Sequence, residues 1–140
     1  MEASNVMIEQ FMSKTPHGIE PHETLAVARR RMQDLKVKHL PVRVGGRVVG
    51  VLSERDLYVL AAFPEVDFKL AKAGFAMTPD PYTVAPTESV CDVAAEMAAR
   101  RIGSALVVDE NERLLGIFTD TDALNALAAV LHGGSRSAGQ

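Results

Sequence analysis

The chain repeats itself. Setting Met12-Ser13-Lys14-Thr15-Pro16 over Met77-Thr78-Pro79-Asp80-Pro81, an offset of 65 residues, brings Pro21 onto Pro86, Glu23 onto Glu88, Thr24 onto Ser89, Met32 onto Met97 and Val42 onto Val107. After one inserted residue, Gly50 falls on Gly116, Ser53 on Thr119 and Asp56 on Asp122. Few positions are identical, but the order of segment types agrees throughout. Such a period limits the chain to two copies of one supersecondary unit.

Each copy reads as βαββα. A short extended segment, His17 to Ile19 or Tyr82 to Ala85, precedes Pro21 or Pro86. Thr24 and Ser89 fit helix N-caps, because a hydroxyl there accepts from an orphan N–H of the first turn. Ser89-x-x-Asp92 also has the form of a capping box. Apolar residues at Leu25, Ala28, Met32 and Leu35, and at Val90, Val93 and Met97, mark one buried helical face in each copy. Two strands follow. In the first copy they are Leu40 to Val44 and Arg47 to Leu52, joined by Gly45-Gly46, a strong two-residue hairpin pattern. In the second they are Ser104 to Val108 and Arg113 to Phe118, around Asp109-Glu110-Asn111-Glu112. A second helix starts near Ser53 and near Thr119.

These elements predict a first repeat over 6–62, a connecting helix or linker over 63–74, a second repeat over 75–131 and a disordered tail over 132–140, whose Gly/Ser composition suits a flexible linker. A unit of about 60 residues buries too little surface to stand comfortably alone, and its small sheet needs a covering partner. The expected fold is therefore α+β, with two βαββα repeats packed sheet to sheet in pseudo-two-fold symmetry. That arrangement would create two equivalent clefts between the repeats, a common setting for ligand pockets.

Composition narrows the function. The net charge of −3 gives no case for nucleic acid, which calls for a basic patch. The charge is uneven: residues 1–73 hold 11 Lys/Arg against 9 Asp/Glu, and residues 74–140 hold 4 against 9. A locally basic first half suits a small anionic ligand. No apolar stretch approaches the roughly 20 residues needed to span a bilayer, and Met1 to Met12 lacks the features of a signal peptide. With Cys91 the single cysteine, a reducing, cytoplasmic setting is expected.

The sharpest recurring element is Gly50-Val51-Leu52-Ser53-Glu54-Arg55-Asp56, matched by Gly116-Ile117-Phe118-Thr119-Asp120-Thr121-Asp122. A glycine, two apolar residues, a hydroxyl and an aspartate three further on mark a strand-to-helix junction. Free N–H groups and the helix dipole there favour a phosphate. A hydroxyl can bond a phosphate or sugar oxygen, and a carboxylate can accept from both hydroxyls of a ribose. A second reading of the same residues needs no ligand, since Ser53-x-x-Asp56 and Thr119-x-x-Asp122 both fit a capping box.

The whole sequence resembles a tandem pair of CBS domains, the repeats named after cystathionine β-synthase. The likeness runs over about residues 6 to 131, on the phrases FMSKTP and AMTPDPYTV, KVKHLPVR and RIGSALVVD, GVLSERDL and GIFTDTDAL. The resemblance implies a pseudo-symmetric pair, frequent homodimerisation and binding of adenosine-containing ligands (AMP, ADP, ATP or S-adenosylmethionine) that regulate an attached or associated protein, as in energy sensing. It places the ribose-binding carboxylates at Asp56 and Asp122 and the neighbouring hydroxyls at Ser53 and Thr119. It puts base contacts at Ile19, Pro41, Val84 and Leu106, and phosphate contacts at Lys38 and His39, with Arg55 also within reach of a phosphate. In the second copy Gly103 and Ser104 stand where Lys38 and His39 do, so the two sites would differ in charge. The resemblance thus implies an adenine-nucleotide-binding regulatory module with no obligatory cofactor, no nucleic-acid partner and no membrane insertion.

The remaining features point elsewhere. His17 and His22 flank a loop and His132 lies near the end, with no spacing of a metal ligand set. Arg29-Arg30-Arg31 spreads over about 200° of helix, so it is expected to be a solvated face. Met7, Met12, Met32, Met77 and Met97 are expected to fill core and interface gaps, and Cys91 to pack within a helix. No nucleophile paired with a base, hydrolase elbow, phosphate-binding loop or zinc pattern occurs, which argues against an enzyme. The alternative is a ligand-independent dimeric scaffold that docks a partner through apolar faces around Leu57, Leu60 and Phe63 and around Leu124, Leu127 and Leu131.

Overall fold

The computed structural model describes residues 5–14 and 17–139. In chain order the elements are a single 3₁₀ turn (Ile8–Gln10), α1 (Leu25–Leu35), β1 (His39–Val44), β2 (Arg47–Ser53), α2 (Glu54–Ala61), α3 (Ala73–Ala76), β3 (Thr78–Pro79), β4 (Thr83–Val84), α4 (Val90–Arg100), β5 (Ser104–Val108), β6 (Leu114–Thr119) and α5 (Asp120–Gly139).

The helices start where the hydroxyls predict. Thr24 Oγ1 accepts from the N–H of Val27 at 3.3 Å, and Ser89 Oγ accepts from Cys91 at 3.1 Å and Asp92 at 3.4 Å. α1 and α4 each end on a left-handed residue, Lys36 and Arg101, both at φ 56°. The following N–H groups reach back five residues, Val37 to the Met32 carbonyl and Ile102 to that of Met97, both at 3.0 Å. This is a helix stop that glycine usually makes. Between β1 and β2, Gly45 and Gly46 sit at φ 59° and 86°, the double positive φ of a tight hairpin turn.

Two three-stranded sheets result, in the orders β1-β2-β3 and β4-β5-β6. β1 and β2 pair antiparallel with a shift between Val42 and Arg43; β5 and β6 do the same with a shift between Val107 and Val108, the duplicated position. One face of each sheet lies under its helices. Leu40, Val42 and Leu52 join Leu25, Ala28, Met32 and Leu57 in one core, while Ala105, Val107 and Phe118 join Val90, Val93 and Met97 in another.

Packing does not follow the repeat boundaries. Residues 17–81 form one compact unit, and 5–14 together with 82–139 form the other. These units cut across the repeats expected at 6–62 and 75–131, because each repeat's leading segment packs in the unit of the other. In the first unit Ala73 and Gly74 donate to the carbonyls of Glu23 and Pro21 at 2.8 and 3.0 Å, and Leu25 donates to Ala71 at 2.9 Å. In the second, Ile8 and Glu9 donate to Glu88 and Pro86 at 2.9 and 3.0 Å, and Val90 donates to Val6 at 2.8 Å. All six partners are related by the same offset of 65. A carbonyl of the strap thus satisfies an orphan N–H at the start of α1 and α4.

Further expectations differ from the structure. Of the connecting helix or linker expected over 63–74, the linker alternative fits: turns and irregular chain fill 63–72, and helix begins only at Ala73. Asp67 fixes the turn by accepting the Lys69 N–H on its own side chain at 2.9 Å, a local bond that competes with helix. The tail expected to be disordered over 132–140 continues α5 to Gly139, and Gln140 lies outside the described residues. Cys91 is exposed rather than packed, and Met7 is 40% exposed, while Met32 and Met97 fill the cores as expected. Among the described residues no helix is long and apolar enough to cross a membrane.

Candidate functional site

Each strand-to-helix junction is pinned by backbone before any side chain acts. In the first unit His39 pairs with Ser53 across the hairpin, and the Glu54 N–H donates to the Lys38 carbonyl at 2.8 Å. In the second, Ser104 pairs with Thr119, and the Asp120 N–H donates to the Gly103 carbonyl at 3.2 Å. The start of the first hairpin strand therefore lies beside the start of the second helix in both units.

The aspartates close these junctions differently. Ser53 Oγ accepts from the Asp56 N–H at 3.1 Å, and Asp56 Oδ2 accepts from the Ser53 N–H at 2.9 Å, a reciprocal capping box. At the second junction the hydroxyl turns round. Thr119 donates to Asp122 Oδ2 through both its N–H, at 2.8 Å, and its Oγ1, at 3.2 Å. The capping box expected from the sequence is thus complete at Ser53, whereas at Thr119 only its carboxylate half is present, Asp122 accepting the Thr119 N–H. These bonds to each carboxylate, among the described residues, all go to Oδ2. Among the described residues no buried side-chain oxygen or nitrogen lacks a partner, so Oδ1 of Asp56 and of Asp122 must reach the surface, able to accept a donor from outside.

Asp122 is 9% exposed and has no cationic partner among the described residues. Burial pushes its carboxyl above the ordinary range; the two Thr119 bonds pull the other way, and the Asp120 charge adds to the rise. A carboxyl raised in the folded state favours folding most below its unfolded value, near 3.8. That contribution is lost as pH rises through the folded value. At neutral pH the Asp122 charge therefore costs stability. Asp122→Asn keeps an oxygen for Thr119 and removes the charge, so its melting midpoint should exceed the wild type's by a few degrees at pH 7. The gap should close on approaching pH 4, and a variant less stable at pH 7 would contradict the assignment.

The other expected site residues divide into two groups. Lys38, His39, Ser53, Arg55 and Asp56 gather at the first junction, with Lys38 and Arg55 exposed. Pro41 lies on the same sheet face as His39, two residues on, and is buried; Leu106, its duplicate, is fully buried on the face opposite Ala105 and Val107. Ile19 and Val84 stand apart. Both side chains are committed to the cores of their own units, and Ile19 spends its N–H on Pro41 and its carbonyl on Arg43. Among the described residues no three His, Cys, Asp or Glu side chains converge as metal ligands.

The basic run on α1 is less solvated than its spacing suggested. Arg29 stacks on Phe68 at 4.6 Å. Arg31, partly buried, makes a two-pronged ion pair with Glu23 and a 2.8 Å bond to the Gly18 carbonyl. The sequence did carry a hint: three residues past Ala28, Arg31 lies only about 60° round the helix from the buried face. Of the docking faces expected around Leu57, Leu60 and Phe63 and around Leu124, Leu127 and Leu131, Leu57 proves to be core, at 3% exposed, and Leu60 packs partly buried against that core. Phe63, Leu124, Leu127 and Leu131 are exposed, as are the neighbouring Tyr58 and Val59.

The CBS domain family model matches the chain twice, at residues 8–61 and 72–129. An inosine-5′-monophosphate dehydrogenase of Korarchaeum cryptofilum is 33% identical over 114 residues, covering 81% of this chain and 23% of that protein. The chain thus spans about a quarter of that enzyme. A CBS domain-containing protein of Dictyostelium discoideum is 29% identical over 136 residues, covering 90% of this chain and 94% of its own length. Among solved structures, CBSX2 in complex with AMP superposes with a TM-score of 0.79 at 25% identity, covering 89% of this chain and 97% of that one. The CBS domain pair of MJ0100, in complex with 5′-methylthioadenosine and S-adenosyl-L-methionine, gives 0.73 at 25% identity, covering 93% and 98%.

Proposed function

The chain belongs to the CBS domain family, and from that premise we propose that it is a regulatory, non-catalytic module that binds adenosine-containing ligands at its two strand-to-helix junctions. The observation that carries the reading is the duplicated aspartate, one oxygen fixed by its own helix start and the other open. Asp122 adds weight because a charged carboxylate is kept at a buried position where asparagine would cap as well. Groups held at a cost to stability cluster at functional sites. Relatives of similar length whose structures hold AMP or S-adenosylmethionine supply the ligand class.

In this reading Asp56 and Asp122 accept from ribose hydroxyls, and Ser53 and Thr119 assist. Pro41 and Leu106 line the base, backed by Ile19 and Val84, whose side chains are buried in the cores of their own units. Lys38 and His39, helped by Arg55, neutralise phosphate at the first junction. Gly103 and Ser104 bring no charge to the second, which suits a less anionic ligand there. The module acts in the cytoplasm as a homodimer, through the exposed apolar side chains of α2 and α5, and reports ligand to a regulated protein. Signalling requires that ligand bind two arrangements of that dimer unequally.

Thermal melts with AMP, ADP, ATP and S-adenosylmethionine test the proposal. A ligand at a hundredfold excess over its dissociation constant stabilises the fold by about 2.7 kcal/mol. Asp56→Asn and Asp122→Asn should each weaken the response of one junction by about 10- to 100-fold, the worth of a hydrogen bond to a charged group. No shift with any of the four at millimolar concentration would overturn the reading in favour of a ligand-independent scaffold.

A further inference from the structure

We propose that the first unit carries a second, separate site, for a small mono-anion bearing a carboxylate or phosphate oxyanion, held by Arg43 beside the hairpin turn. A cavity of about 460 Å³ opens there, lined by Gly18, Glu20, Glu23, Arg31, Arg43 and the turn Gly45-Gly46. It lies at the turn end of β1 and β2, whereas Ser53 and Asp56 sit at the other end of the hairpin. The two sites share no proposed contact residue except Ile19, which lies on the wall of this cavity.

One wall is built rigidly. Arg31 donates to Glu23 Oε1 at 3.0 Å and Oε2 at 3.2 Å and to the Gly18 carbonyl at 2.8 Å. Glu23 is held below the ordinary carboxylate range, chiefly by that bond from Arg31. Gly18 approaches β1 closely: a Cβ there would stand 2.6 Å from the Pro41 carbonyl and 3.5 Å from Arg43 Nε. Arg43, half-buried, faces this space with no hydrogen bond or ion pair to its guanidinium among the described residues. A partly desolvated charge without a partner is unfavourable, and a two-oxygen anion matches the guanidinium fork.

The fold does not demand this arrangement. At the duplicated positions the second unit holds Thr83 for Gly18, Glu96 for Arg31 and Val108 for Arg43. Yet it keeps the same hairpin pairing and the same register shift. Two arginines on one wall are therefore peculiar to the first copy. The charge of the ligand follows from what remains unpaired. Glu23 is neutralised by Arg31, leaving Arg43 to face one anionic group, while Glu20 on the rim repels a polyphosphate.

Titration of ¹⁵N-labelled protein with sodium acetate and with inorganic phosphate, at ionic strength held constant with chloride, tests the site. Amide signals of Gly18, Gly45 and Gly46 and the Nε–H signal of Arg43 should shift and saturate with one of the two probes. The affinity should fall at least tenfold in Arg43→Gln and stay unchanged in Asp56→Asn, which separates this site from the nucleotide junction. Shifts that never saturate, or saturate equally in Arg43→Gln, would overturn the proposal.

Discussion

Truncating Phe118 to alanine is expected to cost about 3–5 kcal/mol of stability, the range for deleting a fully buried aromatic side chain. Phe118 is 0% exposed and sits on β6 opposite Ala105, at the centre of the core that also holds Val93, Met97 and Val107. Its small neighbour cannot swell to fill the gap, so the lost transfer energy and the cavity add. Whole domains are stable by only about 5–15 kcal/mol, and a loss of this size would move a urea midpoint far to the left at unchanged slope. Leu52, its duplicate in the first unit and equally buried, should cost about 2–5 kcal/mol as alanine. Tyr58→Ala, at a residue 68% exposed, serves as the control and should stay within about 0.5 kcal/mol of wild type. A Phe118→Ala loss below about 1 kcal/mol would mean that the surrounding helices close the void, and would refute a rigidly packed second core.

Much of this fold could be read from local chemistry. Gly45-Gly46 could hardly be anything but a tight turn, and Thr24 and Ser89 announced their helices through a hydroxyl placed just before an apolar periodicity. What escaped was of two kinds. Lys36 and Arg101 end their helices in a left-handed conformation that glycine usually marks, so neither stop was visible as composition. The exchange of leading segments was invisible for a deeper reason. Val6 and Ile8 show only that they want burial; which copy buries them is decided by a partner some 80 residues away, and the two copies, being duplicates, offer the same groove. Local pattern cannot choose between identical grooves.

The candidate junctions show the same division. The residue pattern placed the hydroxyl and carboxylate correctly at each helix start, yet it described both as one motif. In the structure Ser53 accepts from the helix while Thr119 donates to its own aspartate. Hydroxyl direction follows from the rotamer, and the rotamer from packing around the junction, neither of which four residues encode. Likewise the contrast between Lys38-His39 and Gly103-Ser104 was legible as charge, whereas the Arg31–Glu23 clamp required a contact between α1 and the loop before it.

The exchanged strap can be dislodged by a single methyl group. Gly116 lies on β6 where the N-terminal strap crosses, and a Cβ placed on it would meet the Ser13 carbonyl oxygen at 2.5 Å and Met12 Sδ at 3.0 Å. The first of these cannot give way cheaply. Ser13 and Ile117 exchange two backbone hydrogen bonds, at 2.9 and 3.0 Å, so moving the carbonyl breaks the pairing that fixes the strap. Gly116→Ala should therefore destabilise the protein by about 1–3 kcal/mol, the usual cost of overpacking. The loss should be local before it is global. Native-state hydrogen exchange should show the amides of Ser13 and Ile117 losing protection first, followed by Val90, whose N–H is bonded to Val6. Ala73 and Gly74, in the corresponding strap of the first unit, should keep theirs. Gly50→Ala is the paired comparison: its nearest obstacle is Met77 Sδ at 2.5 Å, the end of a flexible side chain, with the Thr78 carbonyl at 2.8 Å, so a smaller effect is expected. If Ser13 and Ile117 stay protected in Gly116→Ala, the close approach of strap and strand is not what holds the N-terminal segment in place, and the anchoring must rest on Val6 and Ile8 alone.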